Sequence, residues 1–229
     1  MKTIRDIRLY ASSVQDKFGY IDPFGTNKNN RSANLMARRV TMKLREGGFS
    51  LGEFDHLYLI FTVCLPVGTI IPSKKPVDKL HSWHREYEVG ISQKLFDKYE
   101  QEESVVALSE HLEQTLIKFF APDETLVQQV KNAVKEAVSK GPEMLMRFKE
   151  KKAAKTRAVI FLSLLDSAEY LPVLCVYDLQ GNELLHEPLA KTNDFSSLGD
   201  IQLSSKKVTI KPRKNVFAKE LEPVTFFFE

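Results

Sequence analysis

The sequence predicts an α+β fold: one domain over residues 1–229, built on a mostly antiparallel sheet with a cluster of three or four helices. Three observations carry this. Apolar residues step by three and four through the first and middle parts of the chain, as at Val105, Leu108, Leu112, Leu116 and Phe119. From Ala158 onward the pattern becomes that of short strands. Strands and helices are segregated instead of alternating regularly, which favours α+β over a doubly wound fold.

In chain order, Thr3–Ala11 alternates loosely at Ile4, Ile7 and Leu9 and reads as an edge strand or entry segment. Residues 19–30 are rich in Gly, Asn and Pro and form the first loop. Ser32 caps a helix running to Glu46, with Ala33, Met36, Ala37, Val40 and Leu44 on one face and Gly47-Gly48 ending it. Phe54–Leu65 is aromatic and β-branched, stops at Pro66, and reads as a central strand buried on both faces. A second strand is expected at Tyr87–Ser92.

The stripe at 105–119 ends at Ala121-Pro122. Asp123 then caps a second helix bearing Leu126, Val130, Val134, Ala137 and Val138, closed by Gly141-Pro142. Residues 143–154, with Leu145 and Phe148, read as a third helical piece running into a basic segment. Strands follow at Ala158–Leu165, Pro172–Leu179, Glu183–Leu189, Lys207–Lys211 and Val224–Phe228, with a hairpin turn at Gln180-Gly181-Asn182 and a polar loop at Asn193–Gly199. The three consecutive Phe near the end suit a terminal strand held in a sheet. The one candidate boundary lies at 151–156.

Composition removes several classes. With 43% hydrophobic residues and a net charge of +3, the chain buries too much to be disordered. Cys64 and Cys175 sit in apolar runs and read as buried reduced thiols, too few for a disulfide framework or a structural zinc site by themselves. The charged start (Lys2, Arg5, Asp6, Arg8) lacks an apolar signal core, and the longest apolar run, Leu57–Val67, is too short to span a bilayer. The expectation is a cytoplasmic protein with no membrane association.

No Gly-rich phosphate loop, nucleophile elbow, HExxH or CxxC occurs, so a noncatalytic role without a bound cofactor is expected. The densest chemistry is at His81-Ser82-Trp83-His84-Arg85-Glu86-Tyr87-Glu88. Trp83, Arg85 and Tyr87 are residue types enriched at interface hot spots and are the binding candidates. In the enzyme alternative, His81 and His84 act as metal ligands or acid/base groups with Glu86 orienting them. Such a metal would need a further ligand, for which His56, His111 and His186 are available.

Charge is segregated. Met1–Glu46 holds ten Lys/Arg against four Asp/Glu, whereas Asp97–Glu113 holds six acids and one Lys. Glu102, Glu103, Glu110 and Glu113 would form an acidic face able to dock a basic partner. The run Arg147–Arg157, with the later Lys206, Lys207, Lys211, Arg213, Lys214 and Lys219, supports a nucleic-acid alternative.

The Phe54-Asp-His-Leu-Tyr-Leu-Ile-Phe strand, the Cys64-Leu-Pro-Val-Gly68 turn and the Trp83-His-Arg-Glu-Tyr-Glu-Val-Gly90 stretch resemble the bacterial immunity proteins that neutralise polymorphic toxins. They cover about a tenth of the chain. The resemblance implies a cytosolic, noncatalytic protein whose partner is a toxin domain. One departure is the slightly basic balance, because immunity proteins to nucleases are often acidic.

Overall fold

Gly141 and Pro142 mark where the chain changes character. Gly141 ends a long helix at φ +51°, a backbone region that strains any side chain. By internal contacts the chain divides here into two units, Met1–Gly141 and Pro142–Glu229. The computed structural model describes residues 1–26, 28–77, 79–213 and 222–228. The α+β composition is the sum of a helix-bearing unit and an all-strand unit. The expected boundary at 151–156 is instead the turn of a hairpin in the second unit.

The first unit contains β1 (Asp6–Ala11), α1 (Arg31–Glu46), β2 (His56–Thr62), β3 (Ile70–Pro72), β4 (His84–Gly90), α2 (Gln93–Asp97), α3 (Val105–Phe120) and α4 (Glu124–Lys140). The sheet order is β1-β2-β4-β3. β1, β2 and β4 run parallel, and only β3 is antiparallel to its neighbour. This parallel core is the exception to the antiparallel pairing found elsewhere, and α1 is the crossover that parallel β1 and β2 require.

One face of the sheet is apolar: Ile7, Leu9 and Ala11 of β1, Leu57, Leu59 and Phe61 of β2, and Val89 of β4 are all buried. The helices pack on this face. Asn34 of α1 bonds both the N–H and the carbonyl of Leu9, and Phe61 meets Tyr99 and His111. β2 is central, as expected, but it is not buried on both faces: His56 and Tyr58 remain half-exposed on the opposite side.

The capping residue of α1 is Asn30, not Ser32. Its Oδ1 accepts from the Ala33 N–H, while Nδ2 donates to the carbonyls of Tyr99 and Gln101 and to Ser104 Oγ. Ser32 offers the same local cap but lies inside the first turn. Asp123 caps α4 as its position predicts, accepting from the Leu126 N–H. Cys64 is exposed in the turn after β2, not buried, because the strand ends two residues earlier; Cys175 is buried. No helix among the described residues is long and apolar enough to cross a membrane.

His111 on α3 gives a stability signature. Its ring lies 6.0 Å from that of Phe61, and its Nδ1 is buried without a hydrogen-bond partner among the described residues. Burial pushes its pKa below the ordinary 6.5, with Glu110 opposing the shift. The unfolded chain then binds the proton more tightly than the folded one. The stability this group allows is present above the ordinary value and is lost as pH falls through it. Urea midpoints should therefore fall between pH 7 and about pH 5 more in the native chain than in His111→Gln. Equal slopes would show that His111 carries none of the dependence.

The second unit holds β5 (Met146–Lys152), β6 (Thr156–Leu164), β7 (Tyr170–Asp178), β8 (Glu183–Pro188), β9 (Leu198–Leu203), β10 (Lys207–Pro212) and β11 (Val224–Phe227). Two antiparallel sheets, β5-β6-β7-β8 and β11-β10-β9, face each other. Ala158, Ile160, Leu174 and Val176 of one meet Ile201, Val208, Ile210 and Phe228 on the other side of the core. The helix expected at 143–154 is a short 3₁₀ turn followed by β5. Antiparallel pairing with β6, from Met146↔Leu162 to Lys152↔Arg157, overrides the helix propensity of its Lys and Glu residues. The loop expected at 193–199 ends in β9, whose alternation the Gly-Asp pair conceals in the sequence. β11 closes the edge of its sheet, as expected of the Phe-rich end.

Candidate functional site

The face of the first sheet turned away from α1 and α3 gathers the polar residues of three strands. Parallel register places Asp6, His56 and His84 in one row and Arg8, Tyr58 and Glu86 in the next. Side chains alternate along a strand, so all six share this face. The sequence cannot bury them as it buries their neighbours, because each carries charge or a polar tip.

These side chains engage one another. The His84 ring stacks on Tyr58, with centroids 4.7 Å apart and planes at 19°. The Arg8 guanidinium lies 5.3 Å from the Tyr58 ring centre and its Nε donates to Asp6 at 2.7 Å. Tyr10 meets both Tyr58 and Phe24 edge-on. His81 meets Trp83 edge-on at 4.8 Å. Together they line a cleft of about 300 Å³, floored by Arg8, Tyr58, His84 and Glu86 and walled by Phe24 and Trp83. Phe24 is 71% exposed and Trp83 39%. Trp83 also borders a wider groove of about 1020 Å³ lined by Lys2, Arg5, Arg45, Asp55 and His56.

Glu86 is the unbalanced group. Burial pushes its carboxyl pKa upward; Lys75 opposes the shift, and Glu88 and Asp22 add to it. Its Oε1 is 3.9 Å from His84 Nε2, and its Oε2 is buried with no hydrogen-bond partner among the described residues. Glu88, by contrast, receives a bond from Ser73 Oγ at 2.7 Å. Burial also raises the Tyr58 pKa, with the Arg8 charge opposing it. No Ser, Thr or Cys is among the described residues lining the cleft. The arrangement is equipped to accept a donor or cation.

The expected site residues do not assemble as one surface. Trp83 stands at the cleft. Arg85 points to the helix-covered side, where its guanidinium lies 5.3 Å from the Phe54 ring and donates to the carbonyls of Ser82 and His84. Tyr87 is 8% exposed and packs on Phe119 and Phe120, so it is a core residue and drops out of the binding set. Glu102 and Glu103 are exposed in the 3₁₀ turn before α3, Glu110 is exposed on α3 and Glu113 is half-buried there. α3 packs on the other face of the sheet, so this acidic set does not join the Trp83 cleft.

His81 and His84 have ring centres 6.5 Å apart and belong to no group of three close metal donors among the described residues. The basic run is split by the β5–β6 hairpin. Lys149 turns inward to the carbonyls of Leu198 and Gly199, and Glu150 lies within 3.4 Å of both Arg147 and Lys152. Lys214 and Lys219 lie outside the described residues.

Arg8, Tyr10, Phe24 and Tyr58 were not singled out by sequence reasoning. The available signal was the shared alternation of Asp6-x-Arg8-x-Tyr10 and His56-x-Tyr58, two polar-faced strands in the same phase. Comparison with protein-family models, with curated proteins and with solved structures gave no match to this chain.

Proposed function

We propose that this chain is a noncatalytic protein-binding protein of the immunity type, which neutralises a cognate toxin domain in the cytosol by direct binding. The observation that carries this reading is the cleft on the open sheet face: Phe24 and Trp83 exposed above the stacked Arg8, Tyr58 and His84, with one Glu86 oxygen at its base unpaired among the described residues. Exposed aromatic residues beside Arg and Tyr are the composition of interface hot spots. A buried carboxylate oxygen without a donor costs stability until a partner supplies one. With aromatic faces lining the same cleft, the fitting occupant is a lysine or arginine side chain of the partner, held by charge and by cation–π contact. Charge complementarity of this kind selects the partner more than it adds affinity.

The test is calorimetric titration of the purified chain against toxin domains encoded by neighbouring genes. One such domain should bind at one to one. Trp83→Ala and Glu86→Gln should each weaken binding by about tenfold or more. Far-UV circular dichroism checks that both variants fold. Absence of binding by every neighbouring product, or unchanged affinity in the Phe24→Ala/Trp83→Ala double variant, overturns the reading.

A further inference from the structure

The β7–β8 hairpin of the second unit brings together a thiol, an imidazole and a carboxylate. Cys175 of β7 stands directly opposite His186 of β8. Glu183 lies three residues before His186, and in a regular strand two residues three apart point to opposite faces. Here the register slips between Val176↔Leu185 and Tyr177↔Glu183, leaving Leu184 as the extra residue of a bulge. The bulge turns Glu183 to the side of Cys175 and His186. Bulges that re-aim a side chain recur beside functional sites.

The resulting distances are specific. Cys175 Sγ is 3.6 Å from His186 Nδ1, and the same Nδ1 is 3.2 Å from Glu183 Oε2. All three donor atoms lie within 4.8 Å of one another. Zinc binds sulfur at about 2.3 Å and nitrogen or oxygen at about 2.0–2.2 Å in a tetrahedron. Adjacent ligands of such a tetrahedron stand about 3.6 Å apart for sulfur and nitrogen, and about 3.3 Å apart for nitrogen and oxygen. Both observed edges match.

We propose that Cys175, Glu183 and His186 hold a zinc ion. The thiolate and imidazole select zinc over magnesium or calcium, which take all-oxygen sites. Cys175 is buried while Glu183 and His186 are exposed, so the ion enters from the solvent side and a fourth position stays open to water. β8 is an edge strand, and the ion clamps it to β7 across the hairpin.

Cobalt(II) substitution tests this on the full chain, purified through a chelator. Stoichiometric Co(II) should produce a thiolate-to-cobalt charge-transfer band and the intense visible bands of tetrahedral cobalt, both removed by added zinc. Cys64→Ser should keep the charge-transfer band and Cys175→Ser should lose it. His186→Gln changes an exposed residue, so it reports on binding even where Cys175→Ser fails to fold; it should weaken cobalt binding by about tenfold or more. No charge-transfer band at stoichiometric Co(II), a band that survives Cys175→Ser, or unchanged binding in His186→Gln overturns the proposal.

Discussion

Asn30→Asp is expected to destabilise the chain more than Asn30→Ala, although aspartate caps helices as well as asparagine does. The reason is the second half of the amide. Oδ1 of Asn30 caps α1 through the Ala33 N–H, and aspartate keeps that bond. Nδ2, however, donates to Tyr99 O at 2.6 Å, Gln101 O at 3.1 Å and Ser104 Oγ at 3.0 Å. Alanine loses the cap and these bonds, about 2–4 kcal/mol together, moderated because Ser104 Oγ still donates within this group of acceptors. Aspartate places a charged oxygen against two carbonyls in a site that is 1% exposed. A buried charge facing acceptors costs about 3–5 kcal/mol. The aspartate pKa must rise in the folded state, so its penalty is present above the unfolded value of about 3.9 and lifts as pH falls toward it. Urea unfolding at neutral and acid pH reads both features. An aspartate variant within about 1 kcal/mol of the native chain at neutral pH would show that the amide donors do not tie α1 to the segment before α3.

Local signals were legible where local chemistry decides the outcome. The α3 stripe, the Asp123 cap, the Gly141-Pro142 stop and the Gln180–Asn182 turn each follow from residues a few positions apart, and each lies where it was expected. Residues 143–154 were misread because Lys, Glu and Ala favour a helix in isolation. The pairing that makes them β5 comes from 156–164, and no periodicity within the segment encodes it. The cleft fails for the same reason at longer range. Arg8, Tyr58 and Glu86 are neighbours only through the parallel register of three strands. Trp83 was found because a lone Trp among charged residues is visible without a partner. The Cys175 cluster was hidden by the bulge, since a regular strand puts Glu183 on the wrong side. What the sequence withholds is therefore strand pairing, and the candidate sites of both units are built from it.

Gly90→Ala should cost about 3 kcal/mol or more, through collision and not through backbone strain. Gly90 closes β4, and the turn after β2 crosses directly over it. A Cβ added there would collide with Pro66 O and lie 2.9 Å from Pro66 C and 3.1 Å from Leu65 O. These are backbone atoms, which cannot swing aside as a side-chain tip would. The same turn is held by bonds from Gly68 N to Gly90 O and from Gly90 N to Thr69 O, so displacement sacrifices both. Gly48 supplies the contrast. It has φ +72° and nothing within 4 Å of the added Cβ, so Gly48→Ala carries strain alone, about 1 kcal/mol. Trp83, the only tryptophan, lies in the first unit and reports its unfolding by fluorescence. In urea, Gly90→Ala should unfold well before Gly48→Ala. Equal midpoints would mean that the turn yields without losing its bonds. The close approach of chain to chain, not the freedom of the glycine backbone, would then have ceased to explain why this strand ends as it does.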